Sequence, residues 1–440
     1  MNDLARWAEE RAIRFIRFAW VDNGGVLRAE AVSAHNAQSV LEEGLPIGEA
    51  IQAVAPSGDV ATDAGLDSVG QVWLTPDVET VRTLPWQAHH ASVMGNFLDR
   101  DGSPWAHCPR GALERNLARL RERGFDLQAA FEHEFMLLRR GPDGSLQHLE
   151  ESHYASAHGL DQAGDILDAM ATALEDQGVP VRTVVKEAGL SQFEFSTQHG
   201  SASQAADRFV IVRETIAAMA SREGLLGTCL PLVFEPEAGN GWHLHFSLWR
   251  GEENLTGSGQ ALGDEAASFV AGIFEHLHGL LALTTPSPNS FRRIRPGAWC
   301  GAFRAWGYDH KEVPLRVPSE RHGAPTNVEL KASDASANPY LSLAGIIAAG
   351  LDGIERELKL PEPVDQDPAQ LSEQERQQRR IDPLPGSLEE ALAHFQDDPV
   401  LTAALGEPLA ISYQAVKRSE VEATRGLSVA DEVQRLVDVY

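Results

Sequence analysis

Residues 129–138, Ala-Ala-Phe-Glu-His-Glu-Phe-Met-Leu-Leu, decide how the rest of the chain is interpreted. The run has the length of a β-strand and is too apolar for a surface loop. Side chains alternate between the two faces of a strand, so Glu132 and Glu134 would point the same way, about 7 Å apart. Burying two bare carboxylates is costly, and a hard divalent metal is a suitable counter-charge. The alternative is a half-exposed strand face with solvated carboxylates.

Composition and charge narrow the possible partners. The chain has 440 residues with 37 basic and 64 acidic side chains, a formal net charge of −27, which argues against nucleic acids and anionic membranes as partners. Its cysteines, Cys108, Cys229 and Cys300, are too far apart for a metal-ligand spacing and fit a reducing cytoplasm. The N-terminus is interrupted by charges throughout, which is typical neither of a signal peptide nor of a membrane span. We therefore expect a cytoplasmic protein.

Periodicity and turn signals predict two domains, a small β-rich one at residues 1–103 and a large α/β one at 104–440. The early strands are predicted at 13–21, 26–32 and 69–74, and turn chemistry at 99–105 marks the boundary. Later strands are predicted at 181–187, 192–196, 229–235, 242–249, 313–317 and 327–331. Helices are predicted from Pro109 to just before Gly124 and at 161–177, 203–223, 264–283 and 339–358. Residues 361–385 are expected to be an exposed connection, and 387–440 to form three short amphipathic helices.

Two further stretches could meet the acidic strand. Glu187 and Glu194 lie on either side of a Gly-Leu-Ser turn, as a hairpin with one carboxylate on each arm would place them, although surface hairpins with two glutamates are common. His243 and His245 alternate onto one face of a strand that follows Gly239 and Gly241. Histidine is a common metal ligand, but two satisfied core histidines would give the same pattern.

Basic residues form a third constellation. The stretches 289–297, Asn-Ser-Phe-Arg-Arg-Ile-Arg-Pro-Gly, and 311–316, Lys-Glu-Val-Pro-Leu-Arg, hold five basic residues in an acidic chain. Such side chains suit carboxylate and phosphate oxygens, whereas the alternative is a solvated basic loop. Glu329 and Lys331 share one face of a further strand. Acids and histidines alone would also allow a metal-dependent hydrolase.

Taken in order, these motifs resemble those of the glutamine synthetase family over nearly the whole chain from about residue 13. The matching stretches are FEHEF at 131–135, KEAGLSQFEF at 186–195, GNGWHLHFSL at 239–248, NSFRRIRPG at 289–297, VELKASDASANPYL at 328–341 and GSLEEAL at 386–392. The resemblance implies an α+β fold with a small β-grasp-like N-terminal domain and a large α/β catalytic domain with a curved antiparallel sheet. It also implies a homo-oligomeric ring, usually a dodecamer of two hexamers.

The family's activity would follow. An ATP-dependent ligase converts the side chain of glutamate into γ-glutamyl phosphate, which an amine or ammonia then attacks. By resemblance, two or more Mg²⁺ or Mn²⁺ ions would be held by two groups of side chains, the first Glu134, Glu187 and Glu194 and the second Glu132, His243 and Glu329. The cations facing the ATP phosphates would be Lys311, Arg316 and Lys331. The other contacts would be Arg293 at the glutamate α-carboxylate, Gly239 and Lys331 in the glutamate pocket, and Ser247 near the nucleotide. His133 would point away and be structural.

The sequence departs from the family pattern on the amine side. Glutamine-forming members carry a flap carboxylate where Trp299 stands here, and their ammonium-binding Asp-Gly-Ser stretch has no counterpart in residues 42–48. A tryptophan offers an apolar wall and a cation–π face. The expected product is therefore a γ-glutamyl derivative of an organic amine. The alternatives are a genuine glutamine synthetase and a non-catalytic member, the latter disfavoured because all six metal-ligand positions are filled. Lys311 and Lys331 also replace the family's usual arginines, which keeps charge and loses the guanidinium fork.

Overall fold

In the computed structural model, which describes residues 4–440, the strands predicted at 13–21 and 26–32 form a hairpin at one edge of a six-stranded sheet. Its strands are β1 (Phe15–Val21), β2 (Leu27–Ser33), β3 (Leu45–Gly48), β4 (Gln71–Pro76), β5 (Arg82–Thr83) and β6 (His90–Leu98). Their order is β2-β1-β6-β4-β3, with β5 on β6 and a parallel pairing of β1 with β6. At the hairpin turn, Gly25 has φ of +84°, and a Cβ there would collide with the backbone of Ser336 and Ala337.

The acidic stretch lies in the longest strand of a second, eleven-stranded sheet. This strand is β7 (Asp126–Arg140), and it pairs with five others, namely β8 (Leu146–His148), β10 (Gln192–Thr197), β11 (Gly200–Ser201), β12 (Leu226–Thr228) and β13 (Leu244–Arg250). The remaining strands are β9 (Val181–Lys186), β14 (Glu253–Asn254), β17 (Trp306–Tyr308), β18 (Leu315–Val317) and β19 (Val328–Leu330). The main order is β17-β18-β19-β13-β7-β10-β9, antiparallel except between β17 and β18. A separate ribbon consists of β15 (Gly257–Ser258) and β16 (Ala261–Leu262).

Helices cover the sheets and close the cores. They are α1 (Leu4–Glu10), α2 (Ala37–Glu43), α3 (Pro109–Glu122), α4 (Ala157–Asp176), α5 (Ala202–Arg222), α6 (Asp264–Glu275), α7 (Leu277–Thr284), α8 (Ser290–Arg293), α9 (Pro339–Glu355), α10 (Glu373–Arg379), α11 (Leu388–Gln396), α12 (Pro399–Leu405), α13 (Glu407–Thr424) and α14 (Val429–Leu436). Short 3₁₀ helices occur at Ala34–Asn36, Glu49–Ala53, Val78–Thr80 and Pro368–Gln370. The Asn338 side chain accepts from two N–H groups at the start of α9, and Pro339 occupies the first turn.

The α+β class and the curved antiparallel sheet are confirmed. The boundary at residue 103 stays a prediction; it lies between β6 and α3, and residues 1–3 of the first predicted domain lie outside the described part. Ala415 and Val416 of α13 belong to the apolar core beside the first sheet, so the end of the chain packs against the N-terminal region.

Three details of the prediction are wrong. Residues 229–235 form no strand, because the N–H of Cys229 donates to the Tyr440 carbonyl and that of Leu232 donates to Asn289 Oδ1. Pro231 between them has no N–H to give to a ladder. The tail forms four helices, α11 to α14, instead of three. The helix predicted at 264–283 is broken at His276 into α6 and α7.

The break at His276 is sharp, since α6 and α7 differ in direction by 78°. Within residues 4–440 this bent pair alone has the length and composition of a membrane-crossing segment, and no single helix does. His276 Nδ1 lies 2.6 Å from Asp398 Oδ2, and its Nε2 lies 3.0 Å from Asp352 Oδ2. The imidazole therefore connects the break to α9 and to the start of α12.

We expect His276 to make stability depend on pH. Burial lowers the pKa of His276, but hydrogen bonds to Asp398 and Asp352 outweigh burial and raise it above the ordinary 6.5. A raised folded-state pKa gives stabilisation that is complete below the unfolded-state value and is lost as pH rises through the folded-state value. Melting temperatures measured from about pH 6 to about pH 9 should fall more steeply for wild type than for His276→Gln. Parallel curves would contradict this.

Candidate active site

Strand β7 presents its two glutamates to the same histidine, as the alternation predicted. Glu132 Oε2 lies 3.1 Å from His243 Nδ1, and Glu134 Oε1 lies 3.8 Å from His243 Nε2. On the opposite face His133 is fully buried, hydrogen-bonds the Phe195 carbonyl at 3.1 Å and packs edge-on against Trp242 at 4.5 Å. His133 thus belongs to the core.

The first predicted metal group converges on one side of β7. Glu194 stands directly across from Glu134 in the β7–β10 ladder, and Glu187 follows β9 at the start of the hairpin turn. Burial and the neighbouring glutamates raise the pKa of Glu194 to about 10, and burial and Glu187 raise that of Glu134 to about 8. Three carboxylates that destabilise one another's charges are a donor set that a divalent cation would relieve.

The second group contains one more histidine than was assigned. Single ligand atoms of Glu132, His245 and Glu329 all lie within 4.8 Å of one another, with His245 Nε2 3.1 Å from Glu132 Oε1. His243 Nδ1 is 3.4 Å from Glu329 Oε1, so both histidines border this group. Burial lowers the pKa of His243 to about 4, which keeps its imidazole neutral and able to donate a lone pair. The alternation of His243 with His245 was the signal for the extra residue.

The predicted cations surround the acids. Glu329 pairs with Arg316 Nε at 2.5 Å and with Lys331 Nζ at 3.2 Å. The positive charges of Arg293 and Lys331 both act to lower the pKa of Glu134, and Lys311 does the same for Glu187. These five interactions place every predicted cation within electrostatic reach of the carboxylates.

Arg293 is built into the wall of the site. It ends the single turn α8 and is 4 % exposed. Its Nη2 donates to the carbonyl of Ser333 at 2.9 Å and to that of Lys331 at 3.3 Å. A Cβ on Gly239 would lie only 2.9 Å from Arg293 Cγ, so the absence of a side chain at Gly239 lets the arginine lie against the backbone.

Behind the second group is a cavity of about 310 Å³. Residues that line it include Glu132, Arg182, His199, His245, Ser247 and Trp249. Ser247 Oγ accepts from the Trp249 indole N–H at 2.8 Å. The cavity therefore joins Ser247, assigned to the nucleotide, to the second group of metal-ligand candidates.

An aromatic pair lies within electrostatic reach of the acids. The side chains of Trp299 and Tyr154 are 54 % and 55 % exposed, and their rings meet edge-to-face at 6.5 Å. Trp299 has φ of +54°, and its N–H donates to Glu312 Oε1 at 3.1 Å. The charge of Glu187 is the main cause of a raised pKa of Tyr154, so the phenol and this carboxylate lie close enough to interact electrostatically. Sequence reasoning missed Tyr154, which lies in a loop without a pattern of its own.

Residues 106–436 match the sequence model of the catalytic domain of glutamine synthetase. The chain belongs to the glutamine synthetase family. It is 33 % identical to type-1 glutamine synthetase 1 of Dictyostelium discoideum, with 97 % of this chain and 90 % of the relative covered. It is 36 % identical to a γ-glutamylpolyamine synthetase of Streptomyces coelicolor, with 95 % and 91 % covered. A solved structure described as a novel glutamine synthase homolog superposes with a TM-score of 0.86 at 30 % identity, covering 97 % and 99 % of the two chains.

Family membership makes this protein an ATP-dependent ligase that forms a C–N bond, and the substrates of the family are glutamate, ATP and an amine or ammonia. The family uses divalent metal ions, and the donor set here fits them. Glu194, with its pKa near 10, is buried among four other glutamates. At neutral pH a proton and a metal ion would compete for these carboxylates. The metal ion is favoured when it carries more than one positive charge.

A solved complex of a relative named GmaS with ADP has a TM-score of 0.86 at 27 % identity, covering all of both chains.

Proposed function

We propose that this family member joins the γ-carboxylate of glutamate to an organic primary amine in preference to ammonia. One observation carries the proposal: the exposed ring of Trp299 meets the exposed ring of Tyr154 edge-to-face. By resemblance, Trp299 occupies the position at which glutamine-forming members carry a flap carboxylate. Two aromatic faces favour the carbon chain of an amine and attract its ammonium form. The 36 % identity to a γ-glutamylpolyamine synthetase supports the same conclusion.

The other side chains would serve the phosphoryl-transfer step. Arg293 would hold the α-carboxylate of glutamate and fix the direction of its γ-carboxylate. A γ-carboxylate oxygen would bond to the terminal phosphorus of ATP while the bond to the ADP oxygen breaks, and Lys311, Arg316 and Lys331 would neutralise charge on the moving group. The two groups of metal-ligand candidates would hold Mg²⁺ or Mn²⁺, which supply further neutralisation at the phosphates.

The amine step would follow on the Trp299 side. The nitrogen lone pair would attack the acyl carbon of γ-glutamyl phosphate, and inorganic phosphate would leave. The attacking nitrogen must lose its extra proton, and the leaving phosphate can accept it. Tyr154 and Trp299 would hold the alkyl part of the amine so that the nitrogen points toward the acids.

A genuine glutamine synthetase is the second candidate, because one carboxylate does lie at the flap. Glu312 accepts from the N–H of Trp299 at 3.1 Å and from that of Gly297 at 3.2 Å. In the proposed function Glu312 anchors the loop that carries Trp299. In the alternative it would replace the missing acid and bind ammonium. A homo-oligomeric ring, a dodecamer by resemblance, and a cytoplasmic location complete the proposal, and light scattering would measure the ring's mass.

An amine panel separates the two candidates. ADP release with Mg²⁺, ATP and glutamate would be measured for ammonia, methylamine, ethanolamine, putrescine, spermidine and an aromatic amine. We expect kcat/KM to be at least about tenfold higher for one organic amine than for ammonia, a difference of about 1.4 kcal/mol that one apolar contact supplies. Much better turnover with ammonia than with every amine would refute the proposal.

Substitution of Trp299 tests the assignment within one protein. Trp299→Ala should lower the ratio of kcat/KM for the preferred amine to that for ammonia by about tenfold, because the aromatic wall is removed. Glu312→Gln should lower both values together in the proposed function, since the carboxylate then only anchors the loop. A loss confined to ammonia in Glu312→Gln would favour the glutamine synthetase alternative. The ratio of kcat/KM for the preferred amine to that for ammonia is measured on one protein sample. A change in the folded or active fraction therefore cancels in it.

A further inference from the structure

Immediately before Glu187 is a completely buried lysine. The Lys186 ammonium donates to the carbonyl of Glu187 at 2.8 Å and to that of Gly189 at 2.7 Å, and it lies 3.4 Å from Glu150 Oε1. Three acceptors thus match its three N–H donors. Withdrawing an ammonium from water costs several kcal/mol before these contacts offset it, so apolar packing alone does not explain a lysine at this position.

Its partner Glu150 holds the turn of the β9–β10 hairpin from the other side. Glu150 Oε1 accepts from the Ser191 N–H at 2.8 Å, and Oε2 accepts from the Ser152 N–H at 2.7 Å and from the Ser152 hydroxyl. The Ser191 hydroxyl in turn donates to the Glu150 carbonyl at 2.8 Å. The Glu150 carboxylate therefore binds the hairpin turn through Ser191 and the loop that begins at residue 150 through Ser152.

The same network fixes the loop that carries Tyr154. The N–H of Ala155 donates to the Lys186 carbonyl at 2.9 Å, directly after Tyr154. Two segments that face the proposed metal and amine sites are consequently tied to one buried ion pair. The first is the turn 187–191, which begins with Glu187, and the second is the loop 150–155.

Glu187 has a reason to move if this anchor is lost. Burial and the negative charge of Glu132 both raise the pKa of Glu187 and so oppose its ionisation. Like charges at close range repel, and a turn of five residues between two strands has freedom to swing toward water. The Lys186 ammonium holds the turn by two carbonyls and adds one positive charge behind it.

We infer that Lys186 and Glu150 are a positioning pair that holds Glu187 in the first metal group and Tyr154 in the amine pocket. The inference rests on the proposed function, in which Glu187 is a metal ligand. Neither residue touches substrate; each acts through the backbone of the segment it fastens. Side chains that orient metal ligands from behind commonly contribute about 10- to 100-fold to metal affinity.

The chain contains a matched control. Lys417 is also completely buried, and its Nζ pairs with Glu420 Oε1 at 2.6 Å and donates to the Gly24 carbonyl at 3.3 Å. This second Lys–Glu pair joins α13 to the N-terminal hairpin turn and makes no contact with the acids of the site. Lys417→Met therefore removes the same group from the same degree of burial.

The test measures the affinity of the protein for Mn²⁺. Electron paramagnetic resonance of the free ion reports how much Mn²⁺ stays unbound. Lys186→Met should weaken Mn²⁺ binding at least about tenfold, and so should the nearly isosteric Glu150→Gln, which tests the pair if Lys186→Met folds poorly. Lys417→Met should lower the melting temperature and leave Mn²⁺ affinity within about twofold of wild type. Equal effects of Lys186→Met and Lys417→Met on Mn²⁺ affinity would overturn the inference.

A further variant distinguishes this inference from the proposed function. Glu187→Gln should weaken Mn²⁺ binding at least as much as Lys186→Met. If Glu187→Gln bound Mn²⁺ with the affinity of wild type, Glu187 would not be a metal ligand and the positioning role would be overturned. The amine panel and the Mn²⁺ measurement can fail independently, because a preference for ammonia would leave Mn²⁺ binding unchanged. In Lys186→Met, activity at saturating Mn²⁺ and saturating amine should recover most of kcat, as expected when affinity is lost and the chemistry is retained.

Discussion

Glu134→Ala and Glu132→Ala should each abolish ATP-dependent ligation, with a loss in kcat of about 10³-fold or more. Glu134 belongs to the group with Glu187 and Glu194, and Glu132 belongs to the group with His245 and Glu329. His243 contacts both glutamates, at 3.1 Å from Glu132 and 3.8 Å from Glu134, so the two groups share one wall. Loss of either carboxylate would remove a ligand of one proposed metal ion. The negative charge of the transferred phosphoryl group would then lack that counter-ion.

The measurement is ADP release at saturating ATP, glutamate and amine over a range of Mg²⁺ concentrations. The fold should persist in both variants, because deleting a carboxylate from a crowded acidic cluster removes repulsion. Circular dichroism and thermal melting would check this. Glu420→Ala is the matched control, since it removes another buried glutamate, which pairs with Lys417 away from the cluster. It should lower stability and retain ligation. Activity retained in Glu132→Ala or Glu134→Ala would refute the division into two groups.

Much of the scaffold of the site could be predicted because short-range sequence patterns determine it. Alternation identified the faces of β7 and β13, and a Gly-Leu-Ser turn identified the β9–β10 hairpin. The resemblance then assigned roles that the patterns alone left open, since two glutamates on one strand face are also compatible with solvent exposure. The structure brings these residues together, and their ligand roles stay predictions.

The elements that sequence reasoning missed depend on distant partners. The apolar run 229–235 has the composition of a strand, but the N–H of Cys229 bonds to Tyr440 at the far end of the chain. Nothing near residue 276 shows that two aspartates, Asp352 and Asp398, stabilise a helix break there. The loop that carries Tyr154 is held by a hydrogen bond from the Ala155 N–H to the carbonyl of the distant Lys186. Such features are set by long-range packing, which a local pattern does not encode.

Arg293→Lys should raise KM for glutamate by about 10- to 100-fold and leave KM for ATP nearly unchanged. Arg293 is 4 % exposed, and within residues 4–440 its Nε has no hydrogen-bond partner, although Nη2 donates to the Ser333 and Lys331 carbonyls. A guanidinium that keeps an unpaired N–H is suited to a carboxylate from the substrate. Lysine would keep the charge and lose the fork that binds both oxygens.

The neighbouring arginine provides the control for this substitution. Arg292 lies next to Arg293 in α8, but its side chain is 39 % exposed and pairs with Glu432 at 3.3 Å. Arg292→Lys should therefore change KM for glutamate by less than about twofold, because lysine keeps the positive charge opposite Glu432. If Arg293→Lys lowered kcat at unchanged KM for glutamate, the residue would act on the transition state and not on substrate binding. A rise in KM for glutamate, with KM for ATP and KM for the amine unchanged, is the result expected if Arg293 holds the α-carboxylate.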